Sequence, residues 1–293
     1  MALLLIRPAS FGFNAETALT NTFQKKPAAV DSAIAAQQEF DAFAEKLGKA
    51  GIDLLIVEDT AEPVKPDAVF PNNWISLHDG KTIVLWPMQA ASRRIERRND
   101  IVEMLAARGY TELVDYSHHE KQNRFLEGTG SMVIDYPNRI AYAALSPRTD
   151  GGLLRTACRR LDYKPVAFRT IPVNGVSVYH TNVLMALHEK LAVICEDVID
   201  PRDSGMVKRM LEETGHKLLP VTLEQMHAFA GNMLFTKNRN GEDICIMSAQ
   251  AYASLDGAQK ETISRFAAIV YGDIRCIETA GGGSARCMLA ELR

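Results

Sequence analysis

Apolar positions along the chain fall into two alternating rhythms. Five stretches carry the spacing of an amphipathic helix: Val30–Ala50, Arg93–Arg108, Gly152–Leu161, Ser204–Thr214 and Ala258–Tyr271. Four of them run into a glycine (Gly51, Gly109, Gly215, Gly272), which takes the left-handed conformation that closes a helix at little steric cost. The third breaks near Asp162. After each comes a short run of β-forming residues: Ile52–Val57, Thr111–Asp115, Pro165–Thr170, Lys217–Val221 and Ile274–Glu278. A second apolar run follows, opened by small or polar residues: Asn73-Trp-Ile-Ser-Leu, Gly130-Ser-Met-Val-Ile, Asn182-Val-Leu-Met-Ala, Asn232-Met-Leu-Phe-Thr and Cys287-Met-Leu-Ala-Glu. A repeat of roughly 50–57 residues predicts small α/β units packed about a common axis, none able to bury its apolar face alone. The competing arrangement is a single doubly wound sheet.

Composition narrows the class. The 293 residues are 47% hydrophobic and 24% charged, ordinary for a globular chain without long disorder. A net charge of −3 supplies no field for nucleic acid or an anionic membrane. The longest apolar stretches, such as Ala2–Ile6, are too short to span a bilayer, and the N-terminus reads as a first strand rather than a signal peptide. Five cysteines without CxxC spacing argue against a disulfide frame and for a cytosolic location. Cys195 and Cys245 lie in apolar runs and read as buried hydrophobes. No cofactor is expected: dinucleotide and Walker fingerprints are absent, and Gly281-Gly-Gly has no Gly-Lys-Ser/Thr after it. No metal is expected at His118-His119-Glu120, because adjacent histidines on a helix or strand point apart.

Reactive residue types cluster at the openings of the second runs. Glu127 lies in Phe-Leu-Glu-Gly-Thr-Gly, His180 in Val-Tyr-His-Thr-Asn, and Cys287 in Gly-Gly-Gly-Ser-Ala-Arg-Cys-Met. Each alone reads as a turn carboxylate, a structural histidine and a buried thiol. Together they are the parts of covalent catalysis: a thiolate that attacks, an imidazole that moves protons and a carboxylate that orients the imidazole.

With these residues the chain resembles the pentein superfamily of amidinotransferases, arginine deiminases and dimethylargininases, and most nearly its citrulline-utilisation hydrolase branch. Asp67-Ala-Val-Phe-Pro-Asn-Asn-Trp is similar to the family's substrate loop, Ser92-Arg-Arg-Ile-Glu to its Ser-Arg-Arg-x-Glu element, and Leu145-Ser-Pro-Arg-Thr to its Leu-Ser-x-Arg-Thr element. The resemblance implies one catalytic domain over 1–293, an α/β propeller of five pseudosymmetric ββαβ-type units, with Cys287, His180 and Glu127 as triad. It also implies a small amino acid as partner, with a homodimer allowed for. Arg148, and Arg93 or Arg94, are the candidates for the substrate carboxylate. Members acting on arginine usually hold the guanidinium with two aspartates; the matching positions here are Asn73 and Asn182, with Asn72 beside the first and Asp67 as a remaining acid. Asparagine offers a donor and an acceptor without charge, which suits a neutral ureido group. The expected reaction is therefore citrulline to ornithine, carbon dioxide and ammonia through a Cys287 adduct. Guanidino hydrolysis, amidino transfer and, more distantly, a non-catalytic binding module are the alternatives.

Overall fold

The computed structural model describes residues 2–26, 32–172 and 177–293. Its strands form five separate three-stranded sheets, so the single doubly wound sheet is excluded. The first unit runs from β1 (Ala2–Arg7) through the helix Ser32–Lys49 to β2 (Asp53–Glu58). In the second, β3 (Ile75–His78) and β4 (Thr82–Leu85) lead through the helix Asn99–Ala107 to β5 (Glu112–Asp115). The third has β6 (Val133–Asp135), β7 (Ile140–Ala144), the helix Gly151–Leu161 and β8 (Lys164–Phe168). The fourth has β9 (Met185–His188), β10 (Leu191–Ile194), the helix Pro201–Glu213 and β11 (Lys217–Pro220). The fifth has β12 (Leu234–Lys237), β13 (Asp243–Ser248), the helix Gly257–Ser264 and β14 (Ala268–Gly272). β15 (Ala290–Leu292) returns to β1, antiparallel, with Ala2 opposite Leu292.

Every unit repeats one pairing. The middle strand is parallel to the strand after its helix and antiparallel to its other neighbour, which is the preceding strand in four units and β15 in the first. The middle strands β4, β7 and β10 are buried throughout and read as continuous apolar runs, as a strand covered on both faces must. The outer strands alternate, as β5 does with an exposed residue at every second position. Inner strands of successive units pack together, β15 beside β3 and β9 between β6 and β12. Each of the apolar clusters draws on at least two units; one joins Leu3, Phe40 and Phe43 of the first to Leu234, Ile244 and Ile246 of the fifth. No unit buries its own face, as the five-unit α/β propeller expected from the repeat requires.

The structure corrects two boundaries. The Arg93–Arg108 periodicity resolves into a turn, Ala91–Arg94, and a helix that starts only at Asn99, because Arg98 is extended. In the last unit the Ala258–Tyr271 helix stops at Ser264; the β-branched Ile-Val pair after it forms β14, and Ile274–Glu278 belongs to the helix Arg275–Gly281 instead of a strand. Gly272 is therefore no helix stop. It ends β14 where a Cβ would sit 2.5 Å from the Phe43 ring, so it is glycine for close helix approach. Val30, the predicted start of the first helix, lies outside the described residues.

Candidate active site

The second runs begin with single helical turns that point inward: Pro71–Asn73, Gly128–Ser131, Thr181–Leu184 and Ala285–Met288. Five repeat-equivalent residues lie in these turns and in the matching bend before β12 of the fifth unit: Asn73, Gly130, Asn182, Asn232 and Cys287. They converge on one another. A Cβ on Gly130 would lie 2.5 Å from Asn73 Nδ2 and 2.8 Å from His180 Nδ1. Asn182 Nδ2 and Asn232 Nδ2 lie 3.7 and 3.4 Å from Cys287 Sγ, and Asn232 also donates to the Asn182 carbonyl at 2.7 Å. Gly128 must be glycine as well, with φ of +48° and a Cβ position 2.3 Å from the Asn72 carbonyl oxygen.

Glu127 is fully buried and accepts from His180 Nε2 at 2.7 Å and from the Gln89 amide at 2.9 Å, with Arg148 Nη1 at 3.5 Å. Burial alone would raise its pKa. Arg148 and the imidazole bond overcome that and hold it at about 2, so the carboxylate is ionised. An ionised acceptor fixes the proton of neutral His180 on Nε2 and leaves the Nδ1 lone pair as base. Burial pushes the imidazole below its ordinary 6.5 against the pull of Glu127. Burial likewise pushes the Cys287 thiol above its ordinary 9, only partly offset by its hydrogen-bonding neighbours. His180 and Cys287 line one cavity with Asp67, Asn73, Arg93 and Arg148.

The remaining predicted residues divide. Asp67 is buried, accepts from Asn14 at 2.8 Å and lies 3.8 Å from Arg93 Nε. Arg93 is not free for a substrate: it is bidentate on Glu96 at 2.8 Å and donates to Asn73 Oδ1 at 2.7 Å. Asn72 binds Thr129 and does not reach the cavity wall. Arg94 is a correction. Successive residues of a helical turn point about 100° apart, so with Arg93 inward Arg94 turns out, to Glu120 and the carbonyls of Met88 and Gln89. Asn182 touches the sulfur from outside this cavity.

Sequence reasoning missed the strap that covers the site. Between β1 and the first long helix, Asn14 and Thr17 hold Asp67, Asn21 donates to the Gly282 carbonyl at 3.1 Å, and Gln24 to that of Ala280 at 2.9 Å. Arg148 donates to the Thr17 carbonyl at 3.0 Å and to Thr20 Oγ1 at 2.7 Å. The strap leaves a space of about 20 Å³ above the sulfur, room for roughly one water. Among the cavity's lining, Arg148 is thus satisfied by strap oxygens in this conformation. Asn232 was also missed, although its place at the fourth opening marked it.

A family described as N,N dimethylarginine dimethylhydrolase, eukaryotic, matches residues 7–293. No curated protein matches by sequence. Among solved structures, ArgZ, an arginine dihydrolase from the ornithine-ammonia cycle in Cyanobacteria, aligns with a TM-score of 0.78 at 16% identity. That alignment covers 99% of this chain but only 40% of ArgZ. The N-terminal domain of ArgZ, in a variant covalently bound to a reaction intermediate, aligns at 0.78 and 15% identity over 100% of this chain and 97% of that one. A dimethylarginine dimethylaminohydrolase adduct with 4-chloro-2-hydroxymethylpyridine aligns at 0.67 and 17% identity over 99% and 98%. At these identities the structural likenesses establish the fold.

Proposed function

Because the chain belongs to the N,N-dimethylarginine dimethylhydrolase family, pentein hydrolases that act on guanidino C–N bonds, we propose that it hydrolyses an arginine-type guanidino amino acid and carries the reaction on through the ureido stage. The observation behind this reading is that amides are the side chains hydrogen-bonded to the sulfur, Asn182 and Asn232 on Cys287, with Asn73 in the cavity wall. Two carboxylates aimed at the substrate head would favour a cation and disfavour the neutral product of the first hydrolysis. Amides accept both. ArgZ, an arginine dihydrolase, shares the fold.

The chemistry follows from the geometry. His180 Nδ1 takes the thiol proton, and Cys287 Sγ adds to the planar carbon. The imidazolium, stabilised by Glu127, passes that proton to the leaving nitrogen, and the C–N bond breaks with loss of ammonia. Neutral His180 then takes a proton from water, which adds to the same carbon and expels the thiolate. The product is a ureido amino acid. A second round on the ureido group gives ornithine, carbon dioxide and ammonia, the carbonyl oxygen taking negative charge near the asparagine amides. Arg148 would hold the α-carboxylate once the strap has lifted.

A second reading, a hydrolase that stops after one C–N bond, is favoured by Asp67, the acid that remains in the cavity wall. Arginine, a dimethylated arginine and citrulline given separately to purified protein separate the two. Ornithine from both arginine and citrulline supports the proposal. Citrulline accumulating from either guanidine, with citrulline itself untouched, establishes the second reading in its place.

A further inference from the structure

A second cavity, roomier than the one above the sulfur, lies among the described residues. It measures about 420 Å³ and lies among the inner strands β6, β9, β12 and β15. Its inner end is closed by Asn182, the residue whose Nδ2 lies 3.7 Å from Cys287 Sγ. Exposed Glu189 and Lys237 stand at its outer end. Asn182 therefore touches both a roomy chamber and the nucleophile, while the space on the substrate side holds roughly one water.

The chamber's walls are largely apolar, with Met185, Ala186, Met233 and Phe235. Four of its polar atoms are buried and have no hydrogen-bond partner: Asn182 Oδ1, His188 Nε2, Thr236 Oγ1 and Arg293 Nε. A buried polar atom left unpaired costs about 1–3 kcal/mol. None of the four is open to the chamber as it stands, and small side-chain movements would bring them to its surface, where water or ammonia can pair with them.

We propose that this chamber is the rear door of the active site, through which water reaches Cys287 and ammonia leaves while the substrate's body fills the front. The inference rests on the hydrolytic function proposed above. In that reaction the C–N bond breaks at the deepest point of the front cavity. The ammonia formed there, with its proton from His180, has the carbon skeleton and the strap between it and solvent. The water that cleaves the C–S bond faces the same obstruction, with Cys287 still covalently loaded. A swing of the Asn182 side chain joins the two spaces and leaves the Asn232 bond, which is to the Asn182 backbone carbonyl, intact.

The test is to fill the chamber away from the reacting groups. Thr236→Phe and, separately, Ala186→Leu place bulk in its wall, and thermal melting identifies the variants that keep the native fold. Acid-quenched protein during turnover of arginine is then weighed for the adduct on Cys287. Expected are first-turnover adduct formation at the wild-type rate, a kcat lowered roughly tenfold, and a larger steady-state fraction of adduct. A folded filled variant with wild-type kcat and adduct level overturns the rear door and leaves the hydrolase reading intact. A wild-type protein that releases ammonia from neither arginine nor citrulline overturns both.

Discussion

Two buried carboxyl groups stand one hydrogen bond from the catalytic machinery and are pushed in opposite directions from the ordinary carboxylate value. Glu127 meets His180 and the Arg148 guanidinium and sits at about 2. Glu278, in the helix Arg275–Gly281, meets the Ser284 hydroxyl at 2.5 Å, with Glu39 and Asp273 as its charged neighbours. Burial with no cation nearby pushes it up to about 7. Both side chains are out of water, so depth does not separate them; the presence of a cation does. Glu127 is a charged orienter of the base. Glu278 is a brace that takes up its proton near neutral pH: Ser284, whose hydroxyl donates to it, accepts the Cys287 amide at its carbonyl at 2.9 Å.

Three substitutions sharpen or break that contrast. The largest effect is expected at Glu127: Glu127→Gln should lower kcat roughly 10³–10⁴-fold with little change in KM, because the wrong imidazole tautomer is then favoured. A rate loss under tenfold would mean that Glu127 does not orient the base. The wild-type carboxylate also stabilises the fold, an effect present above pH 4.5 and lost as pH falls towards 2, so acid unfolding of the Gln variant should lack that component.

Arg148→Ala comes next. A lost charge-assisted hydrogen bond is worth about 1.5–3 kcal/mol, so KM should rise roughly 10–150-fold. Because Arg148 also lies 3.5 Å from Glu127, kcat should fall as well. A changed kcat at unchanged KM, from steady-state kinetics, would confine Arg148 to the triad and remove it from substrate binding.

The smallest effect on catalysis is expected from Glu278→Gln, which keeps the hydrogen bond to Ser284 and should retain kcat. Its signature lies in stability. A carboxyl at 4.5 unfolded and about 7 folded binds more protons in the native state between those values. Stability therefore falls as pH rises from 4.5 to 7, at up to 1.36 kcal/mol per unit. Urea midpoints measured across that window should slope in wild type and flatten in the variant; equal slopes would place Glu278 among ordinary ionised groups.

Much of this was legible from the chain because periodicity and chemistry coincide. The inner turns that carry Asn73, Gly130, Asn182 and Cys287 stood at one phase of the repeat, and the structure brings them together. Where the phase is carried by a single residue the reading fails. Gly272 was taken for a helix stop because glycine serves both left-handed turns and tight packing, and the adjoining helix and strand were misplaced with it. Arg93 and Arg94 are equivalent in composition, and only the turn that aims one at Glu96 separates them. The strap left no signal. Thr17, Thr20 and Asn21 obey no repeat and belong to no long helix or strand, and their partners Arg148 and Gly282 lie over a hundred residues away.

The pairing of β15 with β1 has a consequence for quality control. Cys287 sits just before a strand whose partner lies at the opposite end of the sequence. Contacts of such separation are slow to form, because loop-closure entropy must be met before they reward it. Until that clasp is shut the thiol has no fixed address relative to His180. Half-assembled or heat-loosened molecules are thus disarmed rather than indiscriminate.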